Sequence, residues 1–311
     1  MIATITLNPT VDKSVTVRGF AMGKTNRGEV ERVDAGGKGI NVAKVLQRLG
    51  SEVYALGLEA GRNGRFILDA LGAEGIPVDF VHVAGETRVN LKIHDSEKGT
   101  ETELNEPGFR VTSEDLELLK SKIASHAPEC SLMIFSGSLP PGAPPEIFAE
   151  LMAIAKEYGS KSILDTAGLA LELGLVERPY LIKPNRDEIE ELLKANFETH
   201  EQLVGAARTL IGMGSEQVLI SLGAEGAVGV AGNDALYAWP PAVKVRSSVG
   251  AGDTMVAVMA YASTKGMPFR EAFRMAVAAS AATVAMEGTQ VADLAAIEAL
   301  IPQVTVNDVG A

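Results

Sequence analysis

The stretch LMIFSGSLPPGAPPEIFAELMAIAKEYGSKSILDT, residues 132–166, decides the fold class. It begins with the short apolar run LMIFSG, continues with the helix-like PEIFAELMAIAKEYG, and ends with a second apolar run, SILDT. The alternation extends in both directions along the chain, through the strand-like runs ATITLN, VYALGL, YLIKP and QVLISLG. Strands that alternate with helices predict βαβ units, and therefore an α/β fold with a mostly parallel sheet covered on both faces. Ligands bind beyond the carboxyl ends of the strands in such sheets, so we expect function in the loops that follow the apolar runs.

Two segments, residues 14–34 and 87–104, interrupt this alternation. Both alternate apolar and polar residues around turns, which is typical of strands with one face in solvent. We expect them to form a small separate sheet, which is either a lid over a site on the main sheet or an ordinary edge hairpin. The lid interpretation is favoured because each segment contains an arginine, Arg27 in the first and Arg88 in the second. No linker or repeat divides the chain, which predicts a single domain over residues 1–311.

The composition argues against several classes of function. The chain has 311 residues, of which 28 are basic and 40 acidic, and its net charge is −12. Such a surface repels nucleic acids and anionic membranes, so neither is expected as a partner. Charged or turn residues interrupt every long apolar stretch, which argues against a transmembrane segment. The single cysteine, Cys130, allows no internal disulfide and fits a reducing cytoplasm, where we expect the protein to be located.

A glycine turn followed by an aspartate stands in SSVGAGDTMVA, residues 247–257. Asp253 comes directly after Gly250, Ala251 and Gly252, where a helix-like apolar run begins. One interpretation is a helix N-cap, for which aspartate is a favoured residue. The other is an anion site that contains a base, because glycines expose backbone N–H groups and a helix N-terminus attracts negative charge.

Three further stretches place polar groups where helices or turns begin. In AGGKGINVAKVLQRLG, residues 35–50, glycines open an amphipathic helix, a lysine offers its charge to a phosphate, and an asparagine suits hydroxyl groups. In YLIKPNRDEIEEL, residues 180–192, Asn185 and Glu188 offer oxygens of the kind that Mg²⁺ accepts, usually through water, although an N-cap with an acidic first turn is a strong alternative. In VLISLGAEGAVGV, residues 218–230, the glycine turn fits a loop along a nucleotide and a plain tight turn equally well.

Motifs of other enzyme classes are absent from the sequence. GFAMGKT, residues 19–25, has three residues between its glycines, where a P-loop needs four. No GxGxxG follows the first strand, so a nicotinamide-dependent oxidoreductase has no fingerprint here. HExxH is missing, and the histidines are scattered along the chain.

The motifs that remain, taken together, resemble those of the ribokinase-like carbohydrate kinases, the phosphofructokinase B family. The resemblance covers essentially the whole chain and rests on TLNPTVD, GGKGIN, SGSLPPG, KPNxxE, SLGAEGA and VGAGDT. It implies a three-layer α/β/α fold with a small β-sheet lid, through which a homodimer forms. It also implies transfer of the γ-phosphoryl group of ATP to a sugar hydroxyl, with Mg²⁺.

The resemblance implies roles for individual residues. Asp253 would accept the proton of the attacking hydroxyl, and the backbone N–H groups of the turn before it would hold the charge of the transferring phosphoryl group. Those N–H groups belong to Gly250, Ala251 and Gly252. The sugar contacts of the family are matched by Asp12, Gly37 and Asn41. The Mg²⁺–phosphate motif is matched by Asn185 and Glu188. The expected ATP-binding residues are Lys183, Asn185, Ser221, Gly223, Ala224, Glu225, Gly226, Gly252 and, near the adenine, Ala279.

Three cations indicate that the sugar is itself phosphorylated. Arg27 and Arg88 of the lid segments and Lys38 of the glycine-rich stretch are expected to bind one phosphate, for which arginine offers a planar fork. The alternative for each arginine is a solvated charge on the lid. These positions resemble the branch of the family that acts on phosphorylated ketohexoses, and fructose 1-phosphate is the expected substrate. Tagatose 6-phosphate and fructose 6-phosphate are alternatives, and a non-catalytic sensor of a sugar phosphate is a remote one.

Overall fold

A computed structural model describes residues 1–286, 288 and 290–310 of the chain. The strands are β1 (Ile2–Thr6), β2 (Thr10–Val17), β3 (Gly28–Gly36), β4 (Val53–Glu59), β5 (Val78–His82), β6 (Arg88–Asp95), β7 (Thr100–Asn105), β8 (Leu132–Ser136), β9 (Lys161–Asp165), β10 (Leu181–Ile182), β11 (Gln217–Ser221), β12 (Ala227–Ala231), β13 (Asp234–Trp239) and β14 (Thr305–Asp308). The helices are α1 (Lys38–Arg48), α2 (Gly61–Ala73), α3 (Ser113–His126), α4 (Ile147–Glu157), α5 (Gly168–Gly174), α6 (Arg186–Leu193), α7 (His200–Met213), α8 (Ala251–Thr264), α9 (Phe269–Val284) and α10 (Leu294–Leu300).

The main sheet has the order β14-β13-β12-β11-β10-β9-β8-β1-β4-β5. It is parallel from β5 to β11, and the edge from β11 to β14 is antiparallel. The prediction of a mostly parallel sheet from the alternation of strands and helices is therefore confirmed. A parallel sheet places the carboxyl ends of its strands at one edge, which positions the loops that follow them close together.

Helices cover both faces of the main sheet, so the fold has three layers. In β8, Leu132 and Ile134 belong to the apolar cluster on one face, while Met133 and Phe135 belong to the cluster on the other. The first cluster includes residues of α1, α2, α8, α9 and α10, and the second includes residues of α3 to α7. Phe135 packs edge-on against Phe148 of α4, with ring centroids 6.4 Å apart. Burial of each such side chain contributes about 1.5–3 kcal/mol.

A second, smaller sheet with the order β3-β2-β6-β7 stands apart from the main one. Its strands come from the two segments that the alternation of apolar and polar residues singled out, although they span residues 10–36 and 88–105 rather than 14–34 and 87–104. The first strand starts earlier than expected because β2 pairs with both β3 and β6 from Thr10 onward. The small sheet is mixed, since β2 runs parallel to β6 while its outer pairs are antiparallel.

Among the described residues, none of the helices is both long enough and apolar enough to cross a membrane.

Candidate active site

The ends of neighbouring parallel strands bring polar side chains to one edge of the main sheet. Thr6 of β1, Ser136 of β8 and Asp165 of β9 lie side by side in register. Because Ile182 of β10 pairs with Leu164 of β9, the residue that follows, Lys183, comes next to Asp165. Helix α1 begins directly over these strand ends, and Gly39 makes this possible, because a Cβ there would overlap the hydroxyl of Thr6.

The glycine turn before α8 lies at this edge. Gly250 is the N-cap of α8 and has a φ of +76°, in the left-handed region that glycine adopts without strain. A Cβ on Gly252 would lie 3.1 Å from Nζ of Lys183, so the glycine permits that ammonium group to approach the turn. Backbone N–H groups at a helix start and a nearby cation form a favourable place for an anion.

Asp253 lies in the first turn of α8 and is only 7 % exposed. No side chain caps this helix, and the carboxylate of Asp253 instead accepts a hydrogen bond of 2.7 Å from Nδ2 of Asn41. Asn41 lies in the first turn of α1, so the starts of two helices meet at this contact. The simple capping interpretation of Asp253 is therefore not what the structure shows.

A buried carboxylate, Asp165, holds two lysines beside this turn. Its Oδ1 lies 3.1 Å from Nζ of Lys38 and 3.4 Å from Nζ of Lys183, and its side chain is 0 % exposed. Oδ2 of Asp165 has no hydrogen-bond partner among the described residues. No sequence motif singled out Asp165, although its position at the carboxyl end of an apolar strand is a signal by which it was identifiable.

These charges shift one another's pKa values. The pKa of Asp253 is raised to about 6, mainly by burial and then by the like charge of Asp165, although Lys38 and Asn41 act in the opposite direction. Burial alone would lower the pKa of Lys38, but the carboxylates of Asp165, Asp253 and Glu188 raise it. Burial likewise opposes ionisation of Asp165, whose pKa the two lysines nevertheless lower. The site therefore combines two ammonium groups, a fixed carboxylate and, in Asp253, a base suited to proton transfer near neutral pH.

A cavity of about 570 Å³ lies between the small sheet and the loop that precedes α8. Asp12 and Lys92 of the small sheet line it, together with Arg246 and Ser247 of the loop. Asp12 is buried, and burial raises the pKa of its carboxyl group, although the charges of Lys92 and Arg88 act in the opposite direction.

Helix α6 begins at a second cavity, of about 300 Å³, on the other side of Lys183. The lining includes Asn185, Arg186, Ser221 and Gly223. Asn185 caps α6, since its Oδ1 accepts the N–H of Glu188 at 2.8 Å while Glu188 accepts the N–H of Asn185 at 2.8 Å. The capping alternative for this pair is thus realised locally. The described residues contain no group of three or more His, Cys, Asp or Glu side chains arranged to hold a metal ion.

The glycine turn that follows β11 is held in place by β13. Gly226 has a φ of +103°, and a Cβ there would overlap the carbonyl oxygen of Ala238. The hydroxyl of Tyr237 donates a hydrogen bond to the carbonyl of Glu225, and the carboxylate of Glu225 pairs with Arg186 at 2.7 Å. The turn is therefore fixed at both its side chain and its backbone.

The structure brings most of the predicted residues to these two cavities and the edge between them, but three expectations differ from what it shows. Lys38 pairs with Asp165, whereas the guanidinium of Arg88 donates to the carbonyl of Asn8 at 3.2 Å. Arg27 is exposed, and the described residues provide no ion pair for it, so binding of one anion by all three cations stays a prediction. Ala279 is fully buried in α9, which leaves it no surface for an adenine ring in this structure. Gly37 opens α1 with a φ of +114°, and a Cβ there would lie 3.2 Å from Cα of Pro9.

The sequence and the fold were compared with those of known proteins. The model of the pfkB family carbohydrate kinases matches residues 2–296. A 1-phosphofructokinase of Rhodobacter capsulatus is 38 % identical over 306 residues, which cover 98 % of this chain and 97 % of that protein. A 1-phosphofructokinase of Escherichia coli is 35 % identical over 303 residues, or 97 % of each chain.

Among solved structures, phosphofructokinase-2 of Escherichia coli in complex with potassium superposes with a TM-score of 0.91 at 29 % identity, covering 97 % of this chain and 98 % of that one. A possible 1-phosphofructokinase of Thermotoga maritima superposes with a TM-score of 0.90 at 28 % identity over 100 % of both chains. The family match spans nearly the whole chain and includes the turn that carries Asp253, so this protein belongs to the pfkB family of carbohydrate kinases.

Proposed function

We propose that this protein transfers the γ-phosphoryl group of ATP to fructose 1-phosphate and so forms fructose 1,6-bisphosphate. One observation carries the proposal: a buried carboxylate with a pKa of about 6, Asp253, lies at a glycine turn beside two lysines held by Asp165. Phosphoryl transfer depends on positioning and charge stabilisation, and this arrangement supplies both. The similarity to proteins named 1-phosphofructokinase supports the choice of substrate.

The chain's own residues have separate tasks in this reaction. Asp253 accepts the proton of the attacking hydroxyl, and Asn41 orients the carboxylate through the 2.7 Å hydrogen bond. The N–H groups at the start of α8 and the ammonium groups of Lys38 and Lys183 stabilise the charge that develops on the transferring phosphoryl group. Because Asp165 holds both lysines in place beforehand, little reorganisation is needed at the moment of reaction.

ATP would occupy the cavity near Ser221 and Gly223, with its phosphates toward Lys183. The fit rests on the turn from Gly223 to Gly226, which β13 holds rigidly, and on Gly252, which leaves space at the helix start. Asn185 and Glu188 would hold Mg²⁺ through water, since their side chains already bond to the backbone of α6. The ion would neutralise charge on the nucleotide phosphates.

The sugar phosphate would bind in the larger cavity, under the small sheet. Asp12 would accept hydrogen bonds from sugar hydroxyls, and cations around it, among them Lys92 and Arg88, would attract the phosphate. Fructose 6-phosphate is a second candidate, because phosphofructokinase-2 of Escherichia coli in complex with this sugar phosphate superposes with a TM-score of 0.89 at 28 % identity.

A homodimer through the small sheet is part of the proposal. Val30, Val33 and Leu104 are 54 %, 45 % and 56 % exposed. Side chains alternate along strands, and the residues next to Val33, Arg32 and Asp34, line the cavity, so Val33 lies on the opposite face. By the same alternation, Val30 and Leu104 belong to this outer face, which we call the outer patch. Apolar patches of this kind indicate contact between proteins.

The test is release of ADP from Mg²⁺-ATP with a panel of fructose 1-phosphate, fructose 6-phosphate, tagatose 6-phosphate, fructose and ribose. We expect kcat/KM for fructose 1-phosphate to exceed that of every other sugar by more than about tenfold, or roughly 1.4 kcal/mol. A lead by either 6-phosphate would keep the reaction but overturn the substrate, and a lead by an unphosphorylated sugar would overturn the phosphate site as well.

Asp253→Asn separates an enzyme from a sensor. General-base catalysis contributes typically about 10²–10⁴-fold, so we expect the variant to lose at least that factor in kcat while its affinity for the sugar phosphate stays within a few fold. Unchanged turnover would exclude Asp253 as the base. Absence of turnover in the unmodified protein with all five sugars would favour the sensor.

A further inference from the structure

We propose that Asn90 recognises the sugar together with Asp12, and that the two side chains accept hydrogen bonds from two neighbouring hydroxyl groups of the ketose. This inference rests on the proposed function, because it places the sugar in the cavity under the small sheet. No motif or resemblance in the sequence singled out Asn90.

The strand register places Asn90 beside Asp12. Strands β2 and β6 run parallel, and Asp12 pairs with Asn90 in their register. The next residue on the same face of β6 is Lys92, which lines the cavity. Asp12 itself lines the cavity, so the face of the small sheet that carries Asn90 is the one that covers the sugar.

The polar atoms of Asn90 are only partly satisfied by the protein. Its amide group hydrogen-bonds the carboxylate of Asp12, and only the Nδ2–H can donate in such a contact. This orients the other end of the amide, Oδ1, which is buried and has no hydrogen-bond partner among the described residues. Buried acceptors nearly always have a partner, so Oδ1 indicates a donor that a bound ligand supplies.

The chemistry of the pair defines that ligand. An ionised carboxylate can only accept hydrogen bonds, and the amide Oδ1 also only accepts. The ligand must therefore present two donors close together, as two adjacent hydroxyl groups of a sugar do. An ionised phosphate offers acceptors instead, so the Asp12–Asn90 pair reads the sugar ring and leaves the phosphate to the surrounding cations.

The first measurement compares Asn90→Ala with a matched control, Asn105→Ala. Asn105 lies opposite Asn90 on β7 and is exposed, so its substitution perturbs the same sheet without touching the cavity. For Asn90→Ala we expect KM for fructose 1-phosphate to rise at least tenfold while kcat and KM for ATP stay within about twofold. Asn105→Ala should leave all three constants within about twofold. A rise in KM for ATP equal to that for the sugar would overturn the proposal.

The decisive measurement uses fructose 1-phosphate analogues that each lack one hydroxyl group. In the unmodified protein, the analogue that lacks the hydroxyl bound by Asn90 should lose at least tenfold in kcat/KM, whereas with Asn90→Ala the same deletion should cost less than twofold. A merely structural role for Asn90 would give every analogue the same loss in both proteins, and that result would overturn the inference.

Two further outcomes are covered by the design. If Asn90→Ala does not fold, as judged by its thermal transition, Asn90→Ser is measured with the same analogues and the same expectation. If the unmodified protein turns over none of the phosphorylated sugars, the proposed function fails. If it turns over fructose 1-phosphate but shows no coupling to any hydroxyl, only the role of Asn90 fails.

Discussion

Asp253 is a buried carboxylate that must be ionised to act, and this has a consequence for stability. Its pKa in the folded protein is about 6, against 3.8 in the unfolded chain, so the folded state binds the proton more tightly and the ionised form is destabilising above pH 6. We expect Asp253→Asn to raise the free energy of unfolding above pH 6 by on the order of 3 kcal/mol. The gain should shrink as the pH falls from 6 and vanish near pH 4, which urea unfolding at a series of pH values would measure.

A suitable control for this comparison is Asp187→Asn, because Asp187 lies exposed on α6. It should give no such gain at any pH. A gain for Asp253→Asn that does not change between pH 4 and 8 would contradict the assignment of the raised pKa.

The same titration should appear in the activity of the unmodified protein. A protonated Asp253 cannot accept the hydroxyl proton, so kcat/KM for the sugar should fall about tenfold per pH unit below pH 6 and be level above it.

The sequence motifs and the family resemblance identified Asp253, Asn41 and Lys38, which lie together in the structure, but they did not identify Asp165. The reason is physical. Asp165 stands in no motif, and its partner Lys38 is 127 residues away along the chain. Only the pairing of β9 with β8 and β10 brings these groups together, and that strand order is not contained in any local pattern.

At the scale of elements, the loop between β11 and β12 depends on Tyr237 of β13. Tyr237→Phe removes the hydroxyl that bonds the carbonyl of Glu225, and we expect the loop to lose its fixed geometry. KM for ATP should rise several-fold, kcat and KM for the sugar should change by less than about twofold, and stability should fall by about 1 kcal/mol. The exposed Tyr158, substituted by Phe, serves as a control that should change none of these constants.

Trp239 offers a direct measurement of this effect. It is the single tryptophan of the chain, and its ring lies 4.0 Å from that of Tyr237. A titration with ATP, followed by tryptophan fluorescence, would give the affinity without turnover. An unchanged affinity in Tyr237→Phe would contradict a role of β13 in nucleotide binding.

The elements themselves were predictable to different degrees. The strands of the parallel part are short apolar runs between helices, and the pattern suffices to place them. The antiparallel edge was not predicted as far as β14, because Thr305–Asp308 is short and pairs only with β13, about 70 residues earlier. The pattern located the small sheet, but the parallel pairing of its two inner strands depends on contacts between distant segments.

At the scale of the whole molecule, the outer patch predicts self-association. We expect the protein to be a dimer in solution by light scattering and the double variant Val33→Glu/Leu104→Glu to be a monomer, because two charges on each copy cannot be buried in the interface without partners. The control is Leu118→Glu/Val176→Glu, at residues that are 56 % and 71 % exposed outside the small sheet, and it should remain a dimer. A monomeric unmodified protein, or a double variant that stays dimeric, would contradict association through this patch.

The parallel pairing of β2 with β6 also has a consequence for how the chain is made. Thr10 and Arg88, which meet where this pairing begins, are 78 residues apart, and β4, α2 and β5 are synthesised between them. While the chain leaves the ribosome, β2 has no partner on one side until this part of the main sheet exists, and contacts of such long range form slowly. A nascent chain that stops before Arg88 therefore exposes an unpaired strand edge next to apolar side chains, which makes synthesis of this segment the stage most open to aggregation.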